Sequence, residues 1–294
     1  MLQITCFGEV LWDVFPTYRR IGGAPLNVAL RLHSLGADVK MISRVGNDKD
    51  GSEIYDYAAS EGLSTAYFQK DQKLSTGTVD VHLDESNTAS YTINSPAAWD
   101  MIEPTSNLKE VVEQSDAIIF GSLVCRNETS KSTLIDLLKI SNYKIFDLNL
   151  RPPNYDLDVV SQLMHRSDFI KMNDEELEII SSHLGVEGES ITELVQGIKK
   201  HLGNDKSICI TKGADGAELY LKGRFYTNSG YRVNVTDTVG AGDSFLATII
   251  YNLLKGESTQ KALDKGCAMG SLVASKEGAN PKIRPDQIER LMDL

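Results

Sequence analysis

The chain has 294 residues, of which 41% are hydrophobic and 24% charged, a composition typical of a folded globular protein and not of a disordered or fibrous one. Its formal net charge of −11 argues against a nucleic-acid or anionic-membrane partner, because both need a basic face. The sequence has no apolar run of about 18 residues and no basic leader with an apolar core, so we expect a cytoplasmic protein without a membrane segment.

The residues that most often bind transition metals are scattered along the chain. The four cysteines form no C-x-x-C pair, and the five histidines form no H-x-H or H-E-x-x-H spacing. We therefore expect reduced, mostly buried thiols and no histidine-bound metal centre.

Short apolar segments rich in β-formers alternate with amphipathic segments. The strand-like segments are residues 4–7, 39–45, 117–120, 144–148, 169–172 and 207–211, and helical ones are residues 27–35, 52–61 and 130–138. Strands that are apolar on both faces are covered by helices on both sides, so the pattern predicts a three-layer α/β/α sandwich around a mainly parallel sheet. The last third is predicted to be helical over residues 241–255, 258–276 and 285–292, with Gly256 as a C-cap.

The polar alternation of residues 67–93 interrupts this pattern. Two predicted strands, residues 78–83 and 89–93, flank a turn-like segment at residues 84–87, which indicates a hairpin with one solvated face. Residues 11–15 also have an extended pattern. We expect a small antiparallel β lid, formed by approximately residues 11–20 and 67–100, inserted into a single domain spanning residues 1–294.

The most informative segment reads D-T-V-G-A-G-D-S-F over residues 237–245 and precedes a long apolar helix. Gly240, Ala241 and Gly242 let the backbone approach a ligand, and the first-turn amides of the helix are unpaired donors, so this turn predicts an anion hole. Asp243 would lie beside a transferred phosphate, where it could deprotonate a substrate hydroxyl as a general base. The alternative is that Asp243 only caps the helix.

This segment resembles the C-terminal signature of the ribokinase/PfkB superfamily of carbohydrate kinases. The N-terminal signature is also similar, with G-G-A-P-L-N-V-A at residues 22–29 and V-G-N-D-x-x-G at residues 45–51. The resemblance extends from residue 4 to about residue 284 and implies a ribokinase-like fold and ATP-dependent phosphorylation of a sugar hydroxyl. In physical terms, Gly22 and Gly23 would let backbone amides meet sugar hydroxyls, and Asn27 would offer them a donor and an acceptor.

Other substrate-binding residues follow from the resemblance. Asp13 corresponds to the acidic residue that holds two sugar hydroxyls under the lid, since a carboxylate accepts two such bonds. Asp147, Asn149 and Arg151 are spaced two apart, so we expect them to share one face at the end of a strand, where parallel sheets bind ligands. A solvated strand end with a salt bridge is the alternative.

The resemblance also implies a nucleotide site. Asn173 and Glu176 match an N-x-x-E motif that supports magnesium and phosphates through water, although a helix capping box gives the same pattern. Thr211, Gly213 and Gly216 match a T-x-G-x-x-G nucleotide loop, for which a plain hairpin turn is the alternative.

The cofactors implied in this way are ATP and Mg²⁺, with K⁺ as a candidate activator near Asp237 and residues 274–278. No G-x-x-x-x-G-K-[ST] or G-x-G-x-x-G motif occurs, which argues against a P-loop kinase and a dinucleotide-dependent oxidoreductase.

The form G-G-A-P-L-N is typical of fructokinases, whereas ribokinase-like members carry G-G-K-G-x-N. The sequence therefore favours D-fructose as substrate and its conversion to fructose 6-phosphate. One alternative is a 2-keto-3-deoxygluconate kinase, whose acidic sugar needs a cation such as Arg19, Arg20 or Arg151. The others are a ribokinase-type enzyme and a non-catalytic nucleotide-binding protein on the same fold.

Family resemblance also implies a homodimer formed through the lid. Val79, Val81 and Leu83 would form part of its apolar face, unless these side chains pack inside the lid.

Overall fold

The computed structural model of the protein describes residues 1–83, 89–203 and 205–293. Its strands, numbered in chain order, are β1 (Gln3–Phe7), β2 (Leu11–Val14), β3 (Arg19–Gly22), β4 (Asp38–Gly46), β5 (Phe68–Asp71), β6 (Gly77–Leu83), β7 (Ala89–Ile93), β8 (Ala117–Gly121), β9 (Lys144–Asp147), β10 (Phe169–Asn173), β11 (Ser207–Thr211), β12 (Ala217–Leu221) and β13 (Arg224–Asn228). Its α-helices are α1 (Ala24–Ser34), α2 (Lys49–Ser60), α3 (Ser106–Gln114), α4 (Glu128–Leu138), α5 (Leu157–Arg166), α6 (Asp174–His183), α7 (Ile191–Leu202), α8 (Ala241–Leu254), α9 (Thr259–Ala274) and α10 (Pro285–Met292).

The main sheet has the strand order β13-β12-β11-β10-β9-β8-β1-β4-β5. All neighbouring pairs from β11 to β5 are parallel, and only β12 and β13 add an antiparallel edge. Hydrophobic clusters lie on both faces of this sheet, one packed under α1, α2, α8 and α9 and the other under α3 to α7. The predicted three-layer α/β/α sandwich is confirmed.

Alternate side chains of a single strand supply both clusters. In β1, Ile4 and Cys6 face the α1 and α8 side, whereas Phe7 belongs to the opposite cluster. Burying each large apolar side chain contributes roughly 1.5–3 kcal/mol to folding, which explains why the fully buried strand β8 carries no polar side chain. All four cysteines are free and buried, as predicted. Among the described residues no helix is both long and apolar enough to cross a membrane.

The small sheet has the order β3-β2-β6-β7 and confirms that a second, smaller sheet is present. We call it the lid sheet, and its role as a lid stays a prediction. The pairs β2–β3 and β6–β7 are antiparallel, and a parallel β2–β6 pair joins them. Val79 and Val81 are 5% and 2% exposed, so these two side chains pack inside the chain and do not form a free apolar face for a partner. The side chain of Leu83 and the predicted turn at residues 84–87 lie outside the described residues.

One part of the predicted hairpin is wrong. Residues Phe68–Asp71 do not belong to the lid but form β5, which pairs in parallel with β4 at the edge of the main sheet. Phe68 is buried in the core, whereas Gln69 and Lys70 are not buried. An edge strand tolerates such polar side chains, so its sequence resembles that of a solvated hairpin.

The order of the strands locates the ligand crevice. From β1 the chain moves outward through β4 and β5, and then crosses back to β8 on the other side of β1. Parallel sheets bind ligands at the carboxyl ends of the strands where the direction of winding reverses. The loops after β1, β8, β9 and β10 therefore surround the expected site.

A buried ion pair joins the lid to the body of the protein. Arg126 donates to both carboxylate oxygens of Asp100, each at 2.8 Å, and to the carbonyl of Asn94 at the end of β7. The Arg126 and Asp100 side chains are only 7% and 1% exposed, and the guanidinium lies 3.9 Å from the ring centroid of Trp99. Arg126 thus fixes the segment that follows the lid.

We predict that Arg126→Met lowers the free energy of unfolding by about 3 kcal/mol, because it leaves the Asp100 carboxylate buried without its partner. Urea unfolding would measure this loss. The matched control is Arg284→Met, which breaks the exposed pair of Arg284 with Asp286 and should leave the unfolding midpoint nearly unchanged. Equal effects of the two substitutions would contradict the prediction.

Candidate active site

The turn before α8 forms a small cradle of backbone amides. Gly240 has a left-handed φ of 75°, and a side chain there would lie 2.6 Å from the backbone of Ala279, so only glycine fits. The Ala241 amide donates to the carbonyl of Thr238, but the Gly242 and Asp243 amides have no backbone acceptor in the described part of the chain. These two amides can therefore bind an anion, whereas the Ala241 amide is already used by the turn.

Asp243 lies on the first turn of α8 and is partly buried. Its Oδ2 accepts a hydrogen bond of 2.8 Å from Nδ2 of Asn27, on α1. Burial and the negative charge of Asp147 raise the pKa of Asp243 to about 6, against the opposing effects of Asn27, Lys171 and Arg151. A carboxylate with this pKa is ionised at neutral pH yet more basic than an exposed aspartate, as a general base requires.

Lys171 is the main site residue that the sequence reasoning missed. It lies in β10, is 7% exposed, and its Nζ is 2.9 Å from Oδ1 of Asp147. The same Nζ is 3.4 Å from the position that a Cβ of Gly242 would occupy, so the ammonium group lies beside the amide cradle. Burial lowers the pKa of Lys171, but the charges of Asp147 and Glu176 outweigh that effect and raise it. A lysine inside the apolar run F-I-K-M was the signal that could have revealed it.

The prediction that Asp147, Asn149 and Arg151 share one strand face is wrong. β9 ends at Asp147, and Asn149 has a left-handed φ of 43°, so the alternation of an extended strand does not continue. The alternative of a salt bridge holds for Asp147, although the pair with Lys171 is buried instead of solvated. Arg151 is exposed, and its charge opposes the rise that burial causes in the pKa of both Asp13 and Asp243.

Asn173 and Glu176 form a capping box at the start of α6, which was the alternative to the nucleotide motif. The Asn173 side chain accepts from the Glu176 amide at 2.7 Å, and Glu176 accepts from the Asn173 amide at 2.9 Å. The second oxygen of Glu176 accepts from the Leu150 amide at 2.7 Å, which ties the loop after β9 to α6. Burial raises the pKa of Glu176. Each carboxylate oxygen keeps a second lone pair, so a water-mediated contact with a metal ion is compatible with this arrangement.

No cluster of three acidic, histidine or cysteine side chains suited to a metal ion occurs in residues 1–83, 89–203 and 205–293. A magnesium ion carried by ATP phosphates needs only one or two protein contacts and keeps several waters, so this donor set fits such an ion.

Three predicted sugar-binding residues, Asp13, Gly22 and Gly23, lie close together where strands β2 and β3 approach the start of α1. In β2, Asp13 pairs across the strand with Arg20, and a side chain at Gly22 would collide with the Asp13 carboxylate. Burial raises the pKa of Asp13 to about 6 against the opposing charges of Arg151 and Arg20. Gly23 has a φ of 110° and directly precedes α1. The Asn27 amide donates to the carbonyl of Gly23, and the Asn27 side chain connects this group of residues to Asp243.

Asn27 is less free than the sequence suggested. Its Nδ2 donates to Asp243, and its Oδ1 accepts a hydrogen bond of 2.8 Å from Asn280, another residue that the sequence reasoning missed. Asn27 is 5% exposed. Any further bond from Asn27 to a sugar hydroxyl must use the second N–H or the second lone pair of the amide.

Asp237, the predicted neighbour of a monovalent cation, already has three donors. Its Oδ2 accepts from Arg20 at 2.9 Å and from the Gly278 amide at 3.1 Å, and its Oδ1 accepts from the Val239 amide at 3.0 Å. The Arg20 contact joins the lid strand β3 to the signature turn. A potassium site at Asp237 stays a prediction.

The T-x-G-x-x-G segment lies at the end of β11. Thr211 is its last strand residue, and Gly213 is exposed with open space around it. Gly216 has a φ of 80°, and a side chain there would collide with the backbone of Asn228 and Gly230. The turn alternative therefore explains Gly216, whereas Gly213 has room for a ligand.

A model of the pfkB family carbohydrate kinases matches residues 3–286. The chain belongs to this family. A fructokinase of Vibrio alginolyticus is 26% identical over 315 residues, covering 99% of this chain and 98% of the relative.

Solved structures of similar proteins have the same fold. An uncharacterized sugar kinase of Pyrococcus horikoshii in complex with ATP gives a TM-score of 0.81 at 26% identity, covering 98% of this chain and 99% of that one. A 2-dehydro-3-deoxygluconokinase of Thermotoga maritima gives a TM-score of 0.86 at 20% identity over the full length (100%) of both chains. This PfkB chain is thus a carbohydrate kinase with the ribokinase-like architecture that the sequence predicted.

We predict that Asp147→Asn lowers the free energy of unfolding of this PfkB protein by about 3 kcal/mol, because the buried Lys171 ammonium loses its nearest counter-ion. The double variant Asp147→Leu/Lys171→Met, which removes both charges, should recover much of that loss. Denaturant unfolding of the three proteins is the measurement. A double variant less stable than Asp147→Asn would show that the unpaired charge is not the cause.

Proposed function

We propose that the protein transfers the γ-phosphate of ATP to the 6-hydroxyl of D-fructose, with Asp243 as general base. The observation that carries this proposal is the arrangement around the start of α8, where the Asp243 carboxylate, the free Gly242 amide and the Lys171 ammonium group lie together. A proton acceptor beside an anion-binding cradle is the combination that phosphoryl transfer to a hydroxyl requires.

The proposed reaction divides the work between these groups. The oxygen of the sugar hydroxyl attacks the γ-phosphorus while Asp243 takes the proton of that hydroxyl. ADP leaves from the opposite side of the phosphorus. The amides of Gly242 and Asp243 and the Lys171 ammonium bind the charge on the transferred phosphoryl group, which is where electrostatic stabilisation is most effective. Magnesium, when bound with ATP, offsets the phosphate charge, and Asn173 and Glu176 would hold it through water.

The nucleotide and the sugar approach this centre from different sides. We expect ATP to lie along the loops at Gly213 and Asn173. The complex of the Pyrococcus horikoshii relative with ATP supports the choice of nucleotide. Asp13, Gly23 and Asn27 would bind hydroxyls at the far end of the sugar and leave its terminal hydroxyl toward Asp243. The lid sheet would exclude water, which otherwise competes with the sugar as phosphoryl acceptor.

Fructose is favoured by the G-G-A-P-L-N signature and by the fructokinase of Vibrio alginolyticus. One observation favours an acidic sugar instead. Arg19 pairs with Asp50, and Arg20 pairs with Asp237, whereas Arg151 makes no salt bridge within the described residues. Arg151 is therefore the cation that a 2-keto-3-deoxygluconate kinase would use. A homodimer through the lid and activation by K⁺ stay predictions.

We predict that Asp243→Asn lowers kcat by about two to four orders of magnitude, because the amide keeps the shape of the side chain but cannot accept the proton. Coupled measurement of ADP release with fructose and ATP would check this. The matched control is Asp158→Asn, since Asp158 is also a first-turn aspartate, in α5, but its side chain is 83% exposed and lies beside His183 at the end of α6. Wild-type turnover in Asp243→Asn would show that Asp243 is not the general base.

For substrate choice, we expect kcat/KM for fructose to exceed that for ribose and for 2-keto-3-deoxygluconate. Asp13→Ala should lower kcat/KM for fructose by about 10- to 200-fold, because the sugar hydroxyls that are buried on binding lose their hydrogen-bond acceptor. KM for ATP should stay nearly unchanged, because Asp13 is proposed to bind the sugar and not the nucleotide. A panel of sugars assayed with both proteins provides the test. A higher kcat/KM for 2-keto-3-deoxygluconate, lost in Arg151→Leu, would assign the acidic sugar instead.

A further inference from the structure

A chain of two amide hydrogen bonds leads from the loop after α9 to the proposed base. Nδ2 of Asn280 donates to Oδ1 of Asn27 at 2.8 Å, and Nδ2 of Asn27 donates to Oδ2 of Asp243, also at 2.8 Å. The three residues are far apart in sequence, since 253 positions separate Asn280 from Asn27 and 216 separate Asn27 from Asp243. Asn280 does not contact the base itself and acts on it only through Asn27.

The direction of the Asn27 amide matters for the charge of Asp243. An asparagine side chain can present either its N–H₂ or its carbonyl group to a neighbour. The N–H₂ group stabilises an ionised carboxylate, whereas the carbonyl group would favour a protonated one. Because the N–H₂ group of Asn280 occupies the carbonyl side of Asn27, it keeps the N–H₂ side of Asn27 on Asp243.

The loop that carries Asn280 is tightly held against the start of α8. Arg31, which is 3% exposed, donates through Nε to Oγ of Ser244 at 3.1 Å and through Nη2 to the carbonyl of Pro281 at 3.0 Å. On the other side of Asn280, Ala279 packs so closely on Gly240 that no side chain fits between them. Asn280 is therefore fixed relative to Asp243 by contacts on both of its sides.

The second polar group of Asn280 argues against a purely stabilising role. Its Oδ1 is buried and has no hydrogen-bond partner in the described part of the chain. Leaving such an acceptor unpaired is unfavourable, so an apolar residue of similar shape would be as compatible with folding. The bond to Asn27 is the one favourable polar contact that the Asn280 side chain makes among the described residues.

We propose that Asn280 is a positioning residue, which orients the Asn27 amide and thereby keeps Asp243 ionised and ready to accept the proton. The inference deepens the proposed function, since it takes Asp243 as the base. Charged groups that act on Asp243 come from several elements: Glu9 after β1, Asp13 in β2, Asp147 in β9, Arg151 after β9, and Lys171 in β10. None of these groups changes when Asn280 is replaced.

The test compares wild type with Asn280→Leu, which has similar size but no donor. Titration of the Asp243 carboxyl carbon by NMR in protein labelled with ¹³C-aspartate measures the base directly, and the Asp243→Asn variant identifies its signal. We expect a pKa of about 6 in the wild type. In Asn280→Leu it should rise by about one unit, because the released Asn27 amide can turn its carbonyl group toward Asp243, which then loses its N–H donor.

The pH dependence of kcat/KM supplies a second readout. Asp243 must be ionised to act, so the raised pKa should move the acidic limb of the Asn280→Leu profile by about one pH unit to higher pH. At pH 8 and above, activity should return to near the wild-type value. The nearby carboxyls of Asp13 and Glu9, whose pKa values burial raises to about 6 and about 7, also titrate in this range, so the NMR signal is needed to assign the limb to Asp243.

Two further variants complete the comparison. Asn280→Gln keeps the donor, and its extra methylene can enter the adjacent cavity of about 210 Å³, so it should move the limb back toward the wild-type position. Ile283→Val changes the same loop without altering a polar contact and should leave both readouts unchanged. Urea unfolding confirms that each variant is folded.

The outcomes separate this inference from the proposed function. An unchanged Asp243 pKa in Asn280→Leu, or an equal loss of activity at every pH, would overturn the role of Asn280. If the wild type phosphorylates no sugar, or Asp243→Asn stays active, the proposed function fails. The NMR titration still decides in that case whether Asn280 controls the ionisation of Asp243.

Discussion

The structure around the start of α8 depends on keeping several charges in a partly dehydrated cleft. Asp243, Asp147 and Glu176 lie close enough for their charges to interact, and Lys171 is the cation among them. Burial alone would favour the neutral form of every one of these groups. Each carboxylate has its own compensation: Lys171 for Asp147, backbone amides for Glu176, and the Asn27 amide for Asp243. As a result, the Asp243 carboxylate is charged at neutral pH but is still more basic than an exposed aspartate.

The topology of the sheet makes this arrangement possible. β9 and β10 are parallel neighbours, so Asp147 and Lys171 face each other at the same register near the carboxyl edge. The last third of the chain then returns across this edge, and α8 packs on α1. Two short signatures at opposite ends of the sequence thereby form one site, since each provides a helix start at the same edge.

Several residues have both a structural and a proposed chemical role. Glu176 completes a capping box and also anchors the loop after β9, yet it keeps lone pairs for a hydrated ion. Asn27 holds Asp243 and Asn280 and keeps a donor for a ligand. The structural and functional interpretations of such motifs are therefore compatible, because a polar side chain has more bonding capacity than one contact uses.

The layered α/β architecture, helix α10 and the capping-box alternative at Asn173 were predictable from the sequence, because they depend on local periodicity and on hydrogen bonds between near neighbours. It also located the cradle at Gly240 and the aspartate beside it. Three features became visible only in the folded chain: Phe68–Asp71 joins the main sheet, Lys171 lies beside Gly242, and Asn280 donates to Asn27. These features depend on contacts between segments that are distant in sequence. The free energies of such contacts cannot be predicted from a local pattern of residue types.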